Sequence, residues 1–400
     1  MKVGDRFHLT YCSNIHPGET WSEVSSALAS SLPRVRELLG FDGPFAVGLR
    51  LSAQAAEALE VRSTLAAFRE FLREGNYYVL TINGFPYGAF HGQRVKEQVY
   101  RPDWRDPARL EYANRLARLL AALLSDRPDI EGSVSTVPGA FRAHITGDAD
   151  VAVMAMQMLR HAATLVSLRE QTGVTVTLAI EPEPACFIET VDDAIAFFHG
   201  RLFDAALVAR VARDAGVPMT VDDVRRHVGI CFDACHMAVE FEDPPQALQR
   251  LREAGIRVCK VQVSSALRVD RGDASAMRAL APFAEGTYLH QVVERSASVL
   301  TRYVDLPEAL AAAAVPPAAV NSAEWRVHFH VPIFLAAMNA FDTTQADLAA
   351  VLDALKRDPS CPYLEVETYT WDVLPAEYRT SDVCTAIARE LTWVRTQLEA

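Results

Sequence analysis

Eight short apolar runs alternate with helix-like segments along almost the whole chain, and this alternation constrains the fold more than any other feature. Most of the runs are continuously apolar, as in Tyr77–Asn83 and Gly229–Asp233. Such runs are typical of parallel strands that are covered on both faces, because neither face meets water. Eight strand–helix units over a chain of 400 residues therefore predict an α/β fold, the (β/α)8 TIM barrel.

The apolar runs predict the strands, and apolar residues at helical spacing predict the helices between them. The predicted strands are Phe7–Asn14, Phe45–Ser52, Tyr77–Asn83, Ile130–Val137, Val174–Glu181, Gly229–Asp233, Ile256–Ser264 and Tyr363–Tyr369. The predicted helices are Trp21–Leu39, Ala53–Arg73, Pro107–Leu124, Ala149–Thr172, Val191–Ala215, Val221–Val228, Pro245–Ala254, Thr343–Arg357 and Pro375–Leu398.

Longer insertions follow the third and seventh strands, over Gly84–Pro107 and Ala266–Ala323. The second insertion is expected to hold a short helix, a strand-like Tyr288–Glu294 and an Ala-rich piece that ends at Pro316-Pro317. An extended segment, Arg326–Val331, comes after it.

An open, doubly wound sheet is the alternative arrangement of parallel strands and helices. The first strand is not followed by Gly-x-Gly-x-x-Gly, which is the signature of the dinucleotide-binding sheets of that kind. The sequence also has no internal repeat and no linker-like low-complexity stretch. We therefore expect one barrel domain over residues 1–400.

The charge and the cysteines limit the partners and the compartment. The formal net charge is −12, which disfavours a nucleic acid or an anionic membrane as the main partner. No run approaches the ~18 apolar residues of a membrane span, and the N-terminus lacks the apolar core of a signal peptide. The seven cysteines form no Cys-x-x-Cys pair, which is typical of reduced thiols. We expect a cytoplasmic protein that binds a small-molecule metabolite, with a homo-oligomer left open.

Titratable residues follow two of the predicted strands at the end that faces the mouth of a barrel. Glu181 ends the fifth strand, and Glu183 lies between two prolines just after it. Asp233 ends the sixth strand, three residues before His236. A carboxylate and an imidazole suit a divalent metal, one by its charge and the other by a directional nitrogen. The alternatives are a salt bridge in a turn for the glutamates, a helix cap for Asp233 and a satisfied core imidazole for His236.

The seventh strand and the extended segment beyond the second insertion add further polar groups. Lys260 and Gln262 share one face of the strand, because side chains alternate along it. Gln262 offers a carbonyl oxygen to a metal or a hydrogen bond to a substrate, and Lys260 is an electrophile or an ion-pair partner. His328 and His330 are two apart in an apolar run, so their rings share one side. We expect at least one of them to be a ligand; a solvent-exposed pair is the alternative.

The eighth strand and the loop after the third strand complete the candidates. Glu365 and Glu367 share one face of a buried strand, where two carboxylates are costly unless they are paired or bound to a metal. Glu367 lies closer to the mouth and is the better ligand, and Glu365 lies one layer deeper. The loop from Asn83 onward is expected to close over the mouth with His91 reaching in, or to pack without a chemical role.

This order of residues resembles the xylose isomerase-like TIM barrels, which include sugar isomerases, sugar epimerases and endonuclease IV. These proteins share a strand-end glutamate, an Asp-x-x-His on the next strand, a polar ligand on the following one, a pair separated by one residue, and a final-strand glutamate. The matching positions here are Glu181, Asp233 with His236, Gln262, His328 with His330, and Glu367. Two positions depart from the plan: Gln262 stands where a histidine or a carboxylate is more frequent, and two histidines replace a pair that contains aspartate.

A closer resemblance is to the bacterial EboE family of metabolite traffic proteins, which belongs to a gene cluster tied to secondary metabolites. It rests on Asn83–His91, Glu181–Pro184, Cys231–His236, Lys260–Leu267 and Glu365–Trp371. The plan of the xylose isomerase-like barrels implies a divalent metal (Zn, Mn or Mg), for which the candidate ligands are Glu181, Asp233, His236, Gln262, His328, His330 and Glu367. We further expect catalytic roles for Glu181, Glu367 and Lys260, and a substrate site formed by Asn83, His91, Glu183, Glu365 and Trp371.

Two functions of different classes remain open on the sequence. The first is a metal-dependent isomerase or epimerase that acts on a small polyol, a sugar or sugar phosphate, or another oxygenated metabolite. The second is a non-catalytic component that binds or carries a secondary metabolite for export. A hydrolase like endonuclease IV is disfavoured, because the chain is acidic and lacks a basic loop interleaved with aromatic residues.

Overall fold

Eight parallel strands form the predicted barrel in the computed structural model, which describes residues 1–314, 323–358, 360–379 and 381–400. The strands are β1 (Phe7–Tyr11), β2 (Phe45–Arg50), β3 (Tyr77–Asn83), β4 (Gly132–Thr136), β5 (Val176–Ile180), β6 (Val228–Asp233), β7 (Val258–Val263) and β8 (Tyr363–Val366). They pair in the order β1–β8–β7–β6–β5–β4–β3–β2. A single parallel bridge, between Cys12 and Gly48, links β1 to β2, so the barrel is nearly closed.

Every residue of strands β2 to β8 is buried. Helices cover the outer face of these strands, and side chains of the opposite strands fill the inner face. This burial on both sides explains why the strands read as apolar runs and not as alternating ones. A short strand, Lys2–Val3, pairs antiparallel with β1.

The helices lie between the strands, and most of them begin at a residue whose side chain caps the first turn; the exceptions begin after Val61, Gly147 and Thr344. The α-helices are Trp21–Leu38, Ala53–Glu60, Arg62–Glu74, Pro107–Leu123, Asp148–Thr172, Val191–Phe197, Ala205–Ala215, Val221–His227, Ala234–Val239, Pro244–Glu253, Ala274–Ala279, Leu306–Ala313, Gln345–Arg357 and Val383–Glu399. Shorter 3-10 turns cover Ser13–Ile15, Lys96–Tyr100, Arg142–His144, Ala281–Phe283, Tyr369–Val373 and Ala376–Tyr378, and Phe198–Leu202 is a π-helical turn. Thr20 and Glu23 form a capping box at the first helix.

Three predicted helices differ from the structure by more than two residues. The single helix predicted over Ala53–Arg73 is interrupted at Val61, which is extended. The first part packs on the helix Pro107–Leu123 and the second on β3, so tertiary packing decides the break. The segment Val191–Ala215 is interrupted by the π-helical turn and restarts after Asp204, whose side chain caps the next helix. The closing helix begins at Val383 instead of Pro375.

The insertion after β7 contributes to a second sheet, of which the sequence predicted two strands in part. The strand-like Tyr288–Glu294 overlaps the observed Val292–Ser296, and the extended Arg326–Val331 overlaps Ala323–Val327. The six strands of the sheet are Leu267–Asp270, Val292–Ser296, Val299–Tyr303, Ala323–Val327, Ala337–Met338 and Phe341–Thr343, and they pair antiparallel. The strands are short and pair with distant parts of the chain, so local patterns identify them poorly. The helix Leu306–Ala313 corresponds to the predicted Ala-rich piece, whose end at Pro316-Pro317 lies outside the described residues.

One helix, Asp148–Thr172, is long and apolar enough to cross a membrane by length and composition. Most of its apolar window is buried inside the protein, where Leu159 and Leu165 belong to the core. This burial is the ordinary reason for the apolar composition of a core helix.

Candidate metal centre and active site

Three strand ends place carboxylates side by side at the mouth of the barrel. Glu181 directly follows β5, Asp233 is the last residue of β6, and Glu367 directly follows β8. One oxygen of each lies within 4.8 Å of the others, and all three side chains are buried. Burial, followed by the nearby carboxylates, raises the pKa of Glu181 and of Glu367 well above the ordinary value. A cation between them would offset both effects, because it stabilises the ionised carboxylates.

Three imidazoles lie next to these carboxylates. His236 lies on the helix Ala234–Val239, which directly follows β6. Asp233, the last residue of β6, is the N-cap of that helix. His328 and His330 follow the strand Ala323–Val327 of the inserted sheet. The Nε2 atoms of His236 and His328 are 3.1 Å apart, and the Nε2 atoms of His236 and His330 lie 3.8 and 4.0 Å from Asp233 Oδ2.

Hydrogen bonds to the other ring nitrogen fix the tautomer of two of the histidines. The Nδ1 atom of His236 lies 2.8 Å from the carbonyl oxygen of Pro182. The Nδ1 atom of His330 lies 2.7 Å from the carbonyl oxygen of Glu367. A carbonyl oxygen accepts and does not donate, so each Nδ1 carries the proton and each neutral ring presents a lone pair on Nε2.

Gln291 fixes the third histidine in the same way. Its Nε2 donates to the Tyr100 hydroxyl at 2.9 Å and to the Pro184 carbonyl oxygen at 3.0 Å, which orients the amide. Its Oε1 then accepts from His328 Nδ1 at 2.7 Å. Burial and the neighbouring imidazoles His236 and His330 lower the pKa of His328 well below the ordinary value. The Nε2 lone pairs of His236 and His328 therefore face each other, which is unfavourable without a cation or a shared proton.

Four buried polar groups at this centre have atoms with no hydrogen-bond partner among the described residues. They are Glu181 Oε2, Asp233 Oδ2, His330 Nε2 and both amide atoms of Gln262. Gln262 pairs in register with Asp233 on β6 and with Glu365 on β8. Buried polar atoms are ordinarily satisfied, so such a group points to a bound ligand. Donor types and burial fit a divalent metal.

The ligand atoms form overlapping sets that could each hold an ion. The four sets are Glu181, Asp233 and Glu367; Asp233, His236 and His330; Glu183, His236 and His328; and Cys235, His328 and His330. Asp233 belongs to both the carboxylate set and a histidine-containing set. The sets contain six of the seven predicted ligands, and they add Glu183 and Cys235 to them. Gln262, the seventh, belongs to none of the sets, and its role as a ligand stays a prediction.

A cavity of about 520 Å3, counting the space open to solvent at its mouth, lies above these groups. Glu181, Glu183, His236, His328 and Glu367 line it on the metal-ligand side. We call it the first cavity.

Two asparagines support Glu367, and aromatic rings close the first cavity. Asn14 and Asn83 donate to Glu367 Oε1 at 2.8 and 2.9 Å. At the mouth, the rings of Tyr288 and Tyr369 lie 5.0 and 5.3 Å from that of Phe90, between centroids. Phe90 belongs to the loop after β3, which the sequence predicted to close over the mouth.

Four residues that were predicted to be catalytic or to bind the substrate lie away from the first cavity or beneath it. Lys260 and Glu365 form an ion pair of 2.5 Å, and both are fully buried inside the barrel. This is the ion-pair alternative for Lys260. His91 is half-buried and Trp371 belongs to the hydrophobic core. None of these four is among the described residues that line the first cavity.

Several contributors to the site escaped the sequence analysis. Gln291 and Tyr100 come from the two insertions, where no periodic pattern marks a residue as inward-facing. Asn14 ends the first strand-like run, and Tyr369 ends the eighth. The rule that polar residues at strand ends meet at the mouth would have identified these last two.

The solved structures that resemble this chain identify the fold. A xylose isomerase-like TIM barrel protein from Mycobacterium smegmatis, in complex with magnesium, aligns over 100% of this chain and 98% of its own, with a TM-score of 0.51 and 12% identity. The fold is that of a xylose isomerase-like TIM barrel. At this identity the likeness shows the fold alone.

Two further solved structures have the same architecture at lower similarity. A D-tagatose 3-epimerase-like protein aligns over 98% of this chain and 97% of its own, with a TM-score of 0.48 and 11% identity. The IolI protein with a bound zinc atom aligns over the same shares, with a TM-score of 0.46 and 14% identity. These two likenesses carry no argument about the chemistry of this chain.

A scan against protein-family models finds no match, and a search of curated proteins finds none. The resemblance to the xylose isomerase-like superfamily is thus confirmed as a fold, and the resemblance to the EboE family stays a prediction.

Proposed function

We propose that the protein is a divalent-metal-dependent isomerase or epimerase that acts on a small oxygenated metabolite. The observation that carries this proposal is the orientation of three imidazoles. Pro182, Glu367 and Gln291 each hold one Nδ1–H. The Nε2 atoms of His236 and His330 therefore face Asp233 Oδ2, and that of His328 faces His236 Nε2. Metal-binding histidines are ordinarily fixed in this way by a partner on the other ring nitrogen.

The donor set limits the choice of metal. His236, His330 and Asp233 supply nitrogen and oxygen, which suits Zn2+ or Mn2+. Glu181, Asp233 and Glu367 supply oxygen alone, which suits Mg2+ or Mn2+. When bound, such an ion acts as a Lewis acid that polarises a carbonyl and the hydroxyl beside it.

The carboxylates are placed to transfer protons. A carboxyl group of Glu181 or Glu367 that does not bind the metal can act as a general acid or base. Asn14 and Asn83 donate to Glu367 Oε1, which leaves Oε2 as the oxygen that takes or gives the proton. We assign Glu181 and Glu367 as the pair that moves a proton between adjacent carbons of the substrate. In the alternative arrangement, one of the two binds the metal and the other serves as the base.

The first cavity sets the class of substrate. Asn83 and Glu183 supply polar contacts beside the aromatic rings of Tyr100 and Tyr369, a lining that suits a small polyol or sugar. The resemblance to the EboE family favours a secondary metabolite, handled in the cytoplasm. Lys260 has a structural part in this proposal, as the partner of a buried carboxylate, and does not contact the substrate.

A non-catalytic metabolite carrier is the second candidate. The aromatic mouth formed by Phe90, Tyr288 and Tyr369 favours it, because aromatic rings can hold a ligand by apolar contact without reacting with it. A carrier needs the cavity and not the proton-transfer pair.

Metal analysis and proton exchange separate the two candidates. We expect protein purified without added metal to hold close to one equivalent or more of a divalent ion. His330→Ala should lose most of it, whereas His199→Ala, at an exposed histidine, should keep it. In deuterated water the wild type should place deuterium on carbon in a panel of ketoses and their phosphates.

Glu367→Gln should abolish that exchange and retain ligand binding. Metal with ligand binding but no exchange in any substrate of the panel would favour the carrier. Less than a tenth of an equivalent of metal, with His330→Ala equal to wild type, would overturn the enzyme proposal.

A further inference from the structure

A second cavity lies between the barrel and the inserted sheet, on the far side of Gln291 from the first. It measures about 700 Å3, counting the space open to solvent at its mouth. Phe141 and Pro184, from the loops after β4 and β5, form one wall, and Val292 and Val293 of the inserted sheet form the other. Its exposed lining is predominantly apolar.

One buried carboxylate in this lining is half satisfied. Glu240 is 3% exposed, and its Oε2 accepts two hydrogen bonds from Arg302, from Nε at 2.9 Å and from Nη2 at 2.6 Å. Its Oε1 has no hydrogen-bond partner in the described ranges of the chain. A buried carboxylate oxygen is costly to leave without a donor, so this atom indicates a group that is still to be supplied.

The charges around the cavity are unequal. Arg142 contacts Glu189 and Asp193, both at 3.2 Å. Arg302 contacts Glu240 at 2.6 Å and Glu189 at 3.6 Å. Three carboxylates therefore share two guanidinium groups in this cluster, which leaves one negative charge in excess. Burial, followed by Glu189, raises the pKa of Glu240 to about 7, as an excess of negative charge requires.

We propose that the second cavity binds a small organic cation with an apolar body, such as an alkylammonium ion. The ammonium group donates to Glu240 Oε1 and supplies the missing positive charge, and the alkyl chain packs against Phe141, Val292 and Val293. The site is separate from the metal centre and does not depend on the proposed reaction. Gln291 stands between the two, since it lines the second cavity and also holds His328.

Calorimetric titration with n-pentylammonium chloride tests the proposal, with 1-pentanol as the neutral probe of the same shape. We expect one equivalent of the amine to bind, and the alcohol to bind at least tenfold more weakly. Glu240→Gln should weaken amine binding at least tenfold, because the amide keeps the shape and removes the charge. Glu170→Gln, at an exposed helical position, is the matched control and should bind as wild type does.

Val304→Trp supplies a second, independent variant. Val304 lines the cavity and is 42% exposed, so a larger side chain there fills the entrance without disturbing the core, and it should reduce binding at least tenfold. The proposal fails if the amine does not bind, if the alcohol binds equally well, or if Val304→Trp and a folded Glu240→Gln both bind as wild type does. It also fails if Glu367→Gln, in the first cavity, removes amine binding while those two variants keep it.

Discussion

Replacing Glu181 by glutamine tests whether the carboxylates of the metal centre oppose folding until a cation joins them. One oxygen each of Glu181, Asp233 and Glu367 lies within 4.8 Å of the others. At that separation, with an effective dielectric constant of ~20, Coulomb's law gives about 3.5 kcal/mol of repulsion for each ionised pair. The metal-free protein must bear this repulsion or take up a proton.

The raised pKa of Glu181 sets the sign of the pH dependence. The folded state binds the proton more tightly than the unfolded chain does, so stability is lost as pH rises above the unfolded value of about 4.3. In the presence of EDTA, Glu181 should therefore contribute less to the stability of the wild type at pH 8 than at pH 5. Glu181→Gln removes one charge and should raise the free energy of unfolding at pH 8 by about 2–3 kcal/mol.

The assay is urea denaturation in EDTA at pH 5 and pH 8, for wild type, Glu181→Gln and the exposed control Glu170→Gln. The difference between wild type and Glu181→Gln should be small at pH 5 and large at pH 8, and the control should follow wild type. Saturating Zn2+ or Mg2+ should reverse the order, because the variant lacks a ligand oxygen. A Glu181→Gln protein that is no more stable than wild type in EDTA at pH 8 would refute the reasoning.

Three further predictions concern residues around the same centre. Burial lowers the pKa of His330 to about 4, so its contribution to stability is present above about 6.5 and is lost as pH falls toward the folded value. In EDTA, His330→Gln should therefore lose less stability than wild type as the pH falls from about 6.5 to about 4. Equal losses in the two proteins would contradict this. Gln291→Leu removes the acceptor of His328 Nδ1–H and should weaken metal binding ~10–100-fold in a competition with a chromophoric chelator; unchanged affinity would show that the amide does not support the ligand. Lys260→Met leaves Glu365 buried without its cation and should cost ~3–5 kcal/mol in urea denaturation. The double variant with Glu365→Met should recover most of that loss, and a double variant as unstable as the single one would rule out the pair as the cause.

The barrel itself was predictable because its strands are buried on both faces. Tyr77–Asn83 has the same bounds in the sequence prediction and in the structure, and the other seven strands differ at their ends by up to three residues. The inserted sheet was not predictable in the same way. Val292–Ser296 pairs with Ala323–Val327, and the strand Leu267–Asp270 is half exposed, so neither a continuous nor a long alternating pattern marks these strands.

The position of the metal ligands was likewise predictable for the barrel strands and not for the inserted sheet. Glu181, Asp233 and Glu367 end or directly follow barrel strands, and parallel strands bring their carboxyl ends to one mouth whatever the loops do. Their convergence could be argued from the sequence. The position of His328 and His330 beside them depends on how the inserted sheet folds back onto the barrel.

The sequence alone determined the barrel, because burial on two faces imposes an apolar composition that can be read residue by residue. It also determined which strands end in groups that suit a metal. Tertiary structure alone decided which nitrogen of each histidine faces that centre, since Pro182, Gln291 and the carbonyl of Glu367 hold the other one. The same is true of the pairing of Lys260 with Glu365 beneath the centre. These are contacts between segments far apart in the chain, and no local pattern of residues encodes the direction in which a hydrogen bond points.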